Sequence, residues 1–194
     1  MSAEAVEHTR QGLPSADEGR LVRAAQAGDR PAFARLVDAY WGRLYRWLYH
    51  LTHDRHQAED LAQEAFLKAF AHLQRFRPDT NFRAWLFRIA HNTFANQHRA
   101  AARRGGPLPA DLADRDPGPV EQALSREALA RLADALARLP TDFRAALLLR
   151  IEEGLSFRQI AGVLETTEET ARWRVFKARQ KLLAHLETQQ REES

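Results

Sequence analysis

Apolar residues recur along this chain at intervals of three and four, and no stretch alternates with polar residues as a half-buried strand would. The pattern predicts helices. Asp29–Pro31 opens the first clear one, with a cap and an early proline. Phe33, Leu36, Val37, Tyr40, Leu44, Trp47, Leu48 and Leu51 then share one broad face. Asp54 with Gln57 reads as a capping pair for the next helix. Its buried stripe is Ala58, Leu61, Ala62, Ala65, Phe66, Ala69, Phe70 and Leu73, and its opposite face carries Asp60, Gln63, Glu64 and Leu67. A loop over 76–81 leads to a helix with Trp85, Leu86, Ile89, Ala90, Thr93 and Phe94 facing inward. Arg88, His91, Asn92, Asn96 and Arg99 occupy its other sides.

That periodicity stops at 103–120, where Gly105, Gly106, Pro107, Pro109, Pro117, Gly118 and Pro119 crowd together at a density no helix or strand tolerates. Beyond the break, a helix over 124–139 is stopped by Pro140, and Thr141 caps another that runs to Glu153 and ends at Gly154. Ser156 with Gln159 forms a capping box for a short helix over 157–164. Thr166 with Glu169 forms a second, for a helix reaching about Leu186. Two helices joined by so short a turn, after a packed helix, make a helix-turn-helix. The expected fold is all-α, with two small helical domains joined by a Pro/Gly-rich acidic linker. Its parts are a disordered tail (1–18), a first domain (19–104), the linker (105–122), a helix-turn-helix domain (123–187) and a short tail (188–194).

Charge sharpens this division. The formal net charge is +3, but residues 20–104 hold 15 Lys/Arg against 7 Asp/Glu, a net of +8. Residues 105–122 hold one Arg against four acids, a net of −3. Basic clusters on either side of an acidic linker suggest a polyanionic partner for each domain. No run approaches the roughly 18–20 apolar residues that span a bilayer, so membrane insertion is not expected. Met1–Gly19 carries four acids and no apolar stretch, unlike a secretory signal, and a cytoplasmic location follows. Absence of cysteine removes disulfides and thiolate metal sites. His50, His53 and His56 have loose metal-like spacing, but Asp54 starts a new helix between them and no paired acid awaits them. Gly105-Gly106-Pro107 is no phosphate loop, since Pro107 blocks a following helix. Metal, cofactor, small-molecule substrate and enzymatic activity are therefore not expected.

At 100° per residue, Ala171, Val175, Ala178 and Leu182 cluster on one side of the last helix and must pack inward. Trp173 and Glu169 then point away from the core, flanked by Arg172, Arg174 and Lys177. Such a helix fits the major groove, where arginine hydrogen-bonds guanine or grips phosphate.

Three segments, in order, resemble a bacterial RNA polymerase sigma factor of the extracytoplasmic-function group. They are "AEDLAQEAFLKAF" at 58–70, "FRAWLFRIAHNTFANQHR" at 82–99 and "EEGLSFRQIAGVL" at 152–164, and the resemblance covers roughly residues 20–187. It implies core RNA polymerase and promoter DNA as partners and a regulon of stress or envelope type, and it admits an anti-sigma factor. It implies that Asp60, Gln63, Glu64 and Leu67 dock on the polymerase. Asn81 and Phe82 would receive a base flipped from the −10 element, with a core position for Phe82 as the alternative. Arg88, Asn92, Asn96 and Arg99 would track the adjoining DNA, and Thr170, Arg172, Trp173, Arg174 and Lys177 would read the −35 element. Two departures stand out: Glu169-Thr170 where the family usually has Gly-Thr, with Glu168 before it, and Trp173 where a small Ser is usual. Acids there repel phosphate. The alternatives are a sigma-like adaptor with altered promoter reading and a stand-alone helix-turn-helix regulator.

Overall fold

The computed structural model describes residues 15–78, 80–103 and 123–192. Its helices are α1 (Ser15–Gln26), α2 (Arg30–Thr52), α3 (Arg55–His72), α4 (Phe82–Arg103), α5 (Ala123–Ala137), α6 (Thr141–Ile151), α7 (Phe157–Val163) and α8 (Glu168–Glu192). A 3₁₀ turn over Leu73–Arg75 follows α3, and the described residues contain no strand. They form two compact units, one built on α1–α4 without the last residues of α2 and the other on α5–α8.

In the first unit, Asp29 caps α2 by accepting from the Ala32 N–H at 3.0 Å, with Pro31 in the first turn as expected. The buried face of α3 is small-residued, with Ala58, Ala62, Ala65 and Ala69 beside Leu61 and Phe66, so α4 approaches its backbone closely. Two polar ties close that contact: Lys68 Nζ donates to Thr93 Oγ1 at 3.0 Å, and Gln97 Nε2 to Glu64 Oε2 at 3.0 Å. Helix α2 meets its neighbours through rings. Trp41 stacks on Phe66 of α3 at 5.9 Å, and Trp47 meets Phe87 of α4 edge-on at 5.3 Å. Ring pairs at such separations add about 0.5–1.5 kcal/mol beyond the area they bury.

Four of the expectations for this unit need correction. The tail does not extend to residue 18, because Ser15 onward is helical. Glu18 is held by the Tyr40 hydroxyl and the Phe82 N–H, distant partners that local sequence does not reveal. Residues 1–14 lie outside the described part. Phe70 does not belong to the buried stripe: it is 50% exposed at the border of α3, its ring set edge-to-face with Phe33 at a centroid distance of 4.9 Å. The inward face of α4 is Phe82, Leu86, Phe87, Ala90 and Thr93, while Trp85, Ile89 and Phe94 sit at its margins. Finally, Phe82 is 1% exposed. Its ring lies 5.7 Å from Tyr40, 5.5 Å from Phe76 and 5.6 Å from Trp85, so it cannot stack on a base.

The second unit wraps α8 with the three preceding helices. Leu148, Leu149, Leu155, Ile160, Val163, Leu164, Ala171, Val175 and Ala178 are buried in it. Arg144 of α6 satisfies the last carbonyls of α5, its Nη1 donating to Ala137 O at 2.6 Å and Leu136 O at 3.3 Å, where a cation also suits the helix dipole. Helix α6 begins at Thr141, but its N-cap is Pro140 and no side chain caps it. Gly154, at φ 63°, follows α6 as expected. The Ser156–Gln159 capping box is present in both directions, at 3.2 and 2.8 Å. The second box is not. Glu165 takes a left-handed conformation at φ 50°, which closes α7 through Thr166 N–H to Ala161 O at 3.0 Å. The backbone of Thr166 still belongs to the end of α7, and Thr167 caps α8 by accepting from the Thr170 N–H at 3.1 Å. The short tail expected over 188–194 is also corrected, since α8 continues to Glu192; no Gly or Pro interrupts it. The linker expected over 105–122 lies outside the described residues.

The buried ring cluster yields a stability test. Phe82→Ala should cost about 3–5 kcal/mol in denaturant unfolding, the scale of a buried Phe truncation. Asn81→Ala, which removes only a cap, should cost about 1 kcal/mol. A Phe82→Ala variant as stable as the parent would place the ring outside the core.

Candidate nucleic-acid and partner interfaces

The outer face of α3 is the first candidate surface. Asp60 and Gln63 are exposed, and Leu67 is 70% exposed, one turn below them on the same side. Phe70 extends this face with a second exposed apolar group. Glu64 behaves differently. It is half-buried, paired with Lys68 at 2.6 Å and bound by Gln97 of α4, so it braces two helices together. The expected quartet is therefore a trio on the surface and one structural carboxylate, joined by an apolar residue that sequence periodicity had assigned to the core.

The second surface starts at the turn before α4. Phe76 is buried and extended at the end of the 3₁₀ turn, and Thr80 folds back onto Arg77 O through its N–H at 3.0 Å and its hydroxyl at 2.8 Å. Asn81 caps α4, its Oδ1 accepting from the Ala84 N–H at 2.8 Å. The cap occupies its oxygen, while its amide nitrogen takes no part in the cap. Trp85 is the ring that remains partly accessible here, 4.9 Å from Phe76, and sequence reasoning missed it by counting it inward. Along α4, Arg88, Asn96 and Arg99 are exposed and Asn92 half-buried, at intervals of four, four and three that keep them on one side. Arg99 Nη2 donates to Asn96 Oδ1 at 2.8 Å, which holds these two as a unit.

On α8 the structure redistributes the cations. Arg172 is exposed, but it pairs with Glu168 at 3.2 Å and lies 4.7 Å over the Phe157 ring. Arg150 lies on the same ring at 4.9 Å, so two guanidiniums flank Phe157 at the helix-turn-helix. An exposed i,i+4 pair such as Glu168–Arg172 is worth only about 0.3–0.5 kcal/mol, little enough for a phosphate to displace. Arg174 does not flank the outer face as expected. Its side chain is 20% exposed and bound to Asp142 of α6 at 2.8 Å, because its position on the helix turns it toward the start of α6. Lys177 is half-buried, donating to Gln180 at 3.1 Å. Thr170 shares its hydroxyl with Thr167 at 2.8 Å. Trp173 is 51% exposed and leans on Phe143 at 5.3 Å rather than standing free. Phe176 and Leu183 are also exposed on that side. The 100° arithmetic that placed Trp173 outward could have found both.

Two family models match the chain, "Sigma-70 region 2" over residues 36–104 and "Sigma-70, region 4" over residues 129–182. RNA polymerase sigma-H factor of Pseudomonas aeruginosa is 37% identical over 180 residues, spanning 87% of this chain and 93% of that protein. ECF RNA polymerase sigma-E factor of Haemophilus influenzae is 34% identical, spanning 82% and 90%. Among solved structures, CnrH in complex with the cytosolic domain of CnrY superposes with a TM-score of 0.66 at 28% identity, covering 89% of this chain and 98% of that one. RpoE of Bartonella quintana, solved with the anti-sigma factor NepR, gives 0.67 at 27%, covering 80% and 96%.

Salt-titrated binding of the full chain to a mixed-sequence 20-base-pair duplex tests the cation assignments. Arg172→Ala and Lys177→Ala should each make the slope of log affinity against log salt shallower by about 0.9, one phosphate contact apiece. Arg174→Ala should leave the slope alone and reduce thermal stability. A slope change for Arg174→Ala equal to the other two would return it to the DNA face.

Proposed function

The chain belongs to the extracytoplasmic-function group of the sigma-70 family, and on that premise we propose how its surfaces recruit polymerase and open a promoter. Its function is that of a sigma factor, a transcription initiation factor that recognises promoters for RNA polymerase. The first unit docks on core polymerase through Asp60, Gln63, Leu67 and the adjoining Phe70, an exposed apolar centre with a polar rim of the kind interfaces use. The turn before α4 receives a base from the opening −10 element. Asn81 offers its free amide to the base edge, and Trp85 takes the stacking role that buried Phe82 cannot fill. Arg88, Asn92, Asn96 and Arg99 follow the flanking backbone. The second unit sets α8 in the −35 major groove, with Arg172 and Lys177 on DNA and Thr170 at the helix start.

The observation that best supports this assignment is order. A region 2 match with an exposed docking face precedes a region 4 match ending in a helix-turn-helix whose reading helix carries accessible cations. An anti-sigma partner is part of the proposal, supported by the Bartonella RpoE–NepR complex. So are action in the cytoplasm, where polymerase and chromosome meet, and a regulon of stress or envelope type. Among the described residues no helix is long and apolar enough to cross a membrane.

One observation favours a second reading, an adaptor with altered −35 recognition. Two of the expected cations are held by carboxylates, while Trp173, Phe176 and Leu183 make the outer side of α8 apolar. A helix so furnished suits a protein contact as well as a groove.

Run-off transcription on genomic fragments with purified core polymerase, with and without this protein, separates the readings: a sigma factor yields discrete start sites. In the same system Asp60→Ala, Gln63→Ala and Leu67→Ala combined should weaken core association by about 2 kcal/mol or more, as interface hot spots do, and leave thermal stability unchanged. Co-purification with core at the parental level would remove α3 from the interface.

A further inference from the structure

Helix α1 precedes the region 2 match, which begins at residue 36. Two of its long polar side chains, Glu18 and Gln26, reach the segment that joins α3 to α4. At the N-terminal end, Glu18 accepts from the Tyr40 hydroxyl and, through its other oxygen, from the Phe82 N–H at 3.3 Å. That N–H belongs to the first residue of α4, one of the donors that a helix start leaves without an internal partner, and a carboxylate there also suits the helix dipole. At the C-terminal end, Gln26 Nε2 donates to Leu73 O and Phe76 O, both at 2.8 Å, and Gln74 Nε2 returns a bond to Gln26 O at 2.6 Å. Between these ends α1 runs alongside the turn: a side-chain carbon placed on Gly19 would lie 3.9 Å from the Pro78 carbonyl oxygen. Burial, reinforced by the Glu18 carboxylate, holds the Tyr40 hydroxyl well above the usual tyrosine range, so it remains a donor.

We infer that α1 is a strut for the turn over 76–81, and that Glu18 and Gln26 are positioning residues for capture of the −10 base, an inference that rests on the reading of that turn given above. The residues that flank the turn are held from α1, Phe76 by Gln26 at its entry and Phe82 by Glu18 at its exit, so its two ends are set before DNA arrives. A turn ordered in advance loses less freedom on binding, and the affinity of a flipped base depends on that saving. Neither side chain touches DNA in this arrangement; both act through Phe76, Phe82 and Asn81.

The test uses the full chain, free and in holoenzyme, on a linear promoter fragment that the parental holoenzyme transcribes. The variants are Gln26→Ala, Glu18→Ala and Glu18→Gln, the last keeping one acceptor oxygen for the Phe82 N–H and offering its NH2 to the Tyr40 hydroxyl, which can turn to accept. Permanganate reactivity of start-site thymines reads strand opening, and hydrogen exchange of residues 76–81 reads the turn. Gln26→Ala and Glu18→Ala should cut opening about tenfold, the effect of losing the hydrogen bonds that hold the competent geometry. They should also quicken exchange in 76–81, with core affinity unchanged and Glu18→Gln restoring most of the parental opening. If Glu18→Ala does not fold, Gln26→Ala and Glu18→Gln carry the comparison. Opening at the parental rate in Gln26→Ala overturns the positioning role. Should the parental protein open no fragment at all, the reading of the turn fails and the capture role with it. Exchange in 76–81 then decides the strut alone: faster in the variants if α1 holds the turn, unchanged if it does not.

Discussion

Burial of the Phe82 ring is the constraint on which the first unit turns. Three segments converge on it: α2 through Tyr40, the end of the 3₁₀ turn through Phe76, and the second turn of α4 through Trp85. Once that ring is inside, the rotation of α4 has no freedom left. Leu86, Phe87, Ala90 and Thr93 follow it into the core, and Arg88, Asn96 and Arg99 are left on the outside. The same burial sets Asn81 one residue earlier as the cap, which decides how much of its side chain is available to anything else. A residue that reads from the sequence as a contact for a base thus lies in the core, where it sets the position of its neighbours.

The second unit is governed by helix ends rather than by a ring cluster. Arg144 closes α5, the left-handed Glu165 closes α7, and Thr167 opens α8 one residue later than the sequence suggests. Core packing of Ala171, Val175 and Ala178 then fixes the rotation of α8. With start and rotation set, each cation meets a different neighbour: Arg172 finds Glu168 and Phe157, Arg174 finds Asp142, and Lys177 finds Gln180. Equal charges in sequence become unequal groups in space, because an arginine already paired in a half-buried site must give up that pair before it can hold a phosphate.

The exposed apolar residues follow the same division. Leu67 and Phe70 on α3, and Trp173, Phe176 and Leu183 on α8, stay exposed at the margins of faces that charge and core burial otherwise explain. Clusters of this kind on an otherwise polar helix mark places where a partner supplies the missing cover. Leu67 and Phe70 lie within the region 2 match, and Trp173 and Phe176 within the region 4 match.

What the sequence by itself determined was the helical class, the positions of most helices, the Ser156–Gln159 capping box, the helix-turn-helix and, through three motifs, the family. These depend on periodicity, on caps and breakers a few residues apart, and on side chains seen in order along the chain. What it left undecided depends on partners far away in sequence. Glu18 is unreadable until Tyr40 and Phe82, 22 and 64 residues on, are brought to it. Glu64 looks like a free surface acid until Gln97 reaches it from α4, and Arg174 looks like a DNA contact until α6 presents Asp142. Phe70 and Phe82 both fit an apolar stripe by spacing, yet one is half exposed and the other sealed. Helical angle says which side of a helix a residue occupies, but only the packing of the other helices decides whether anything covers that side.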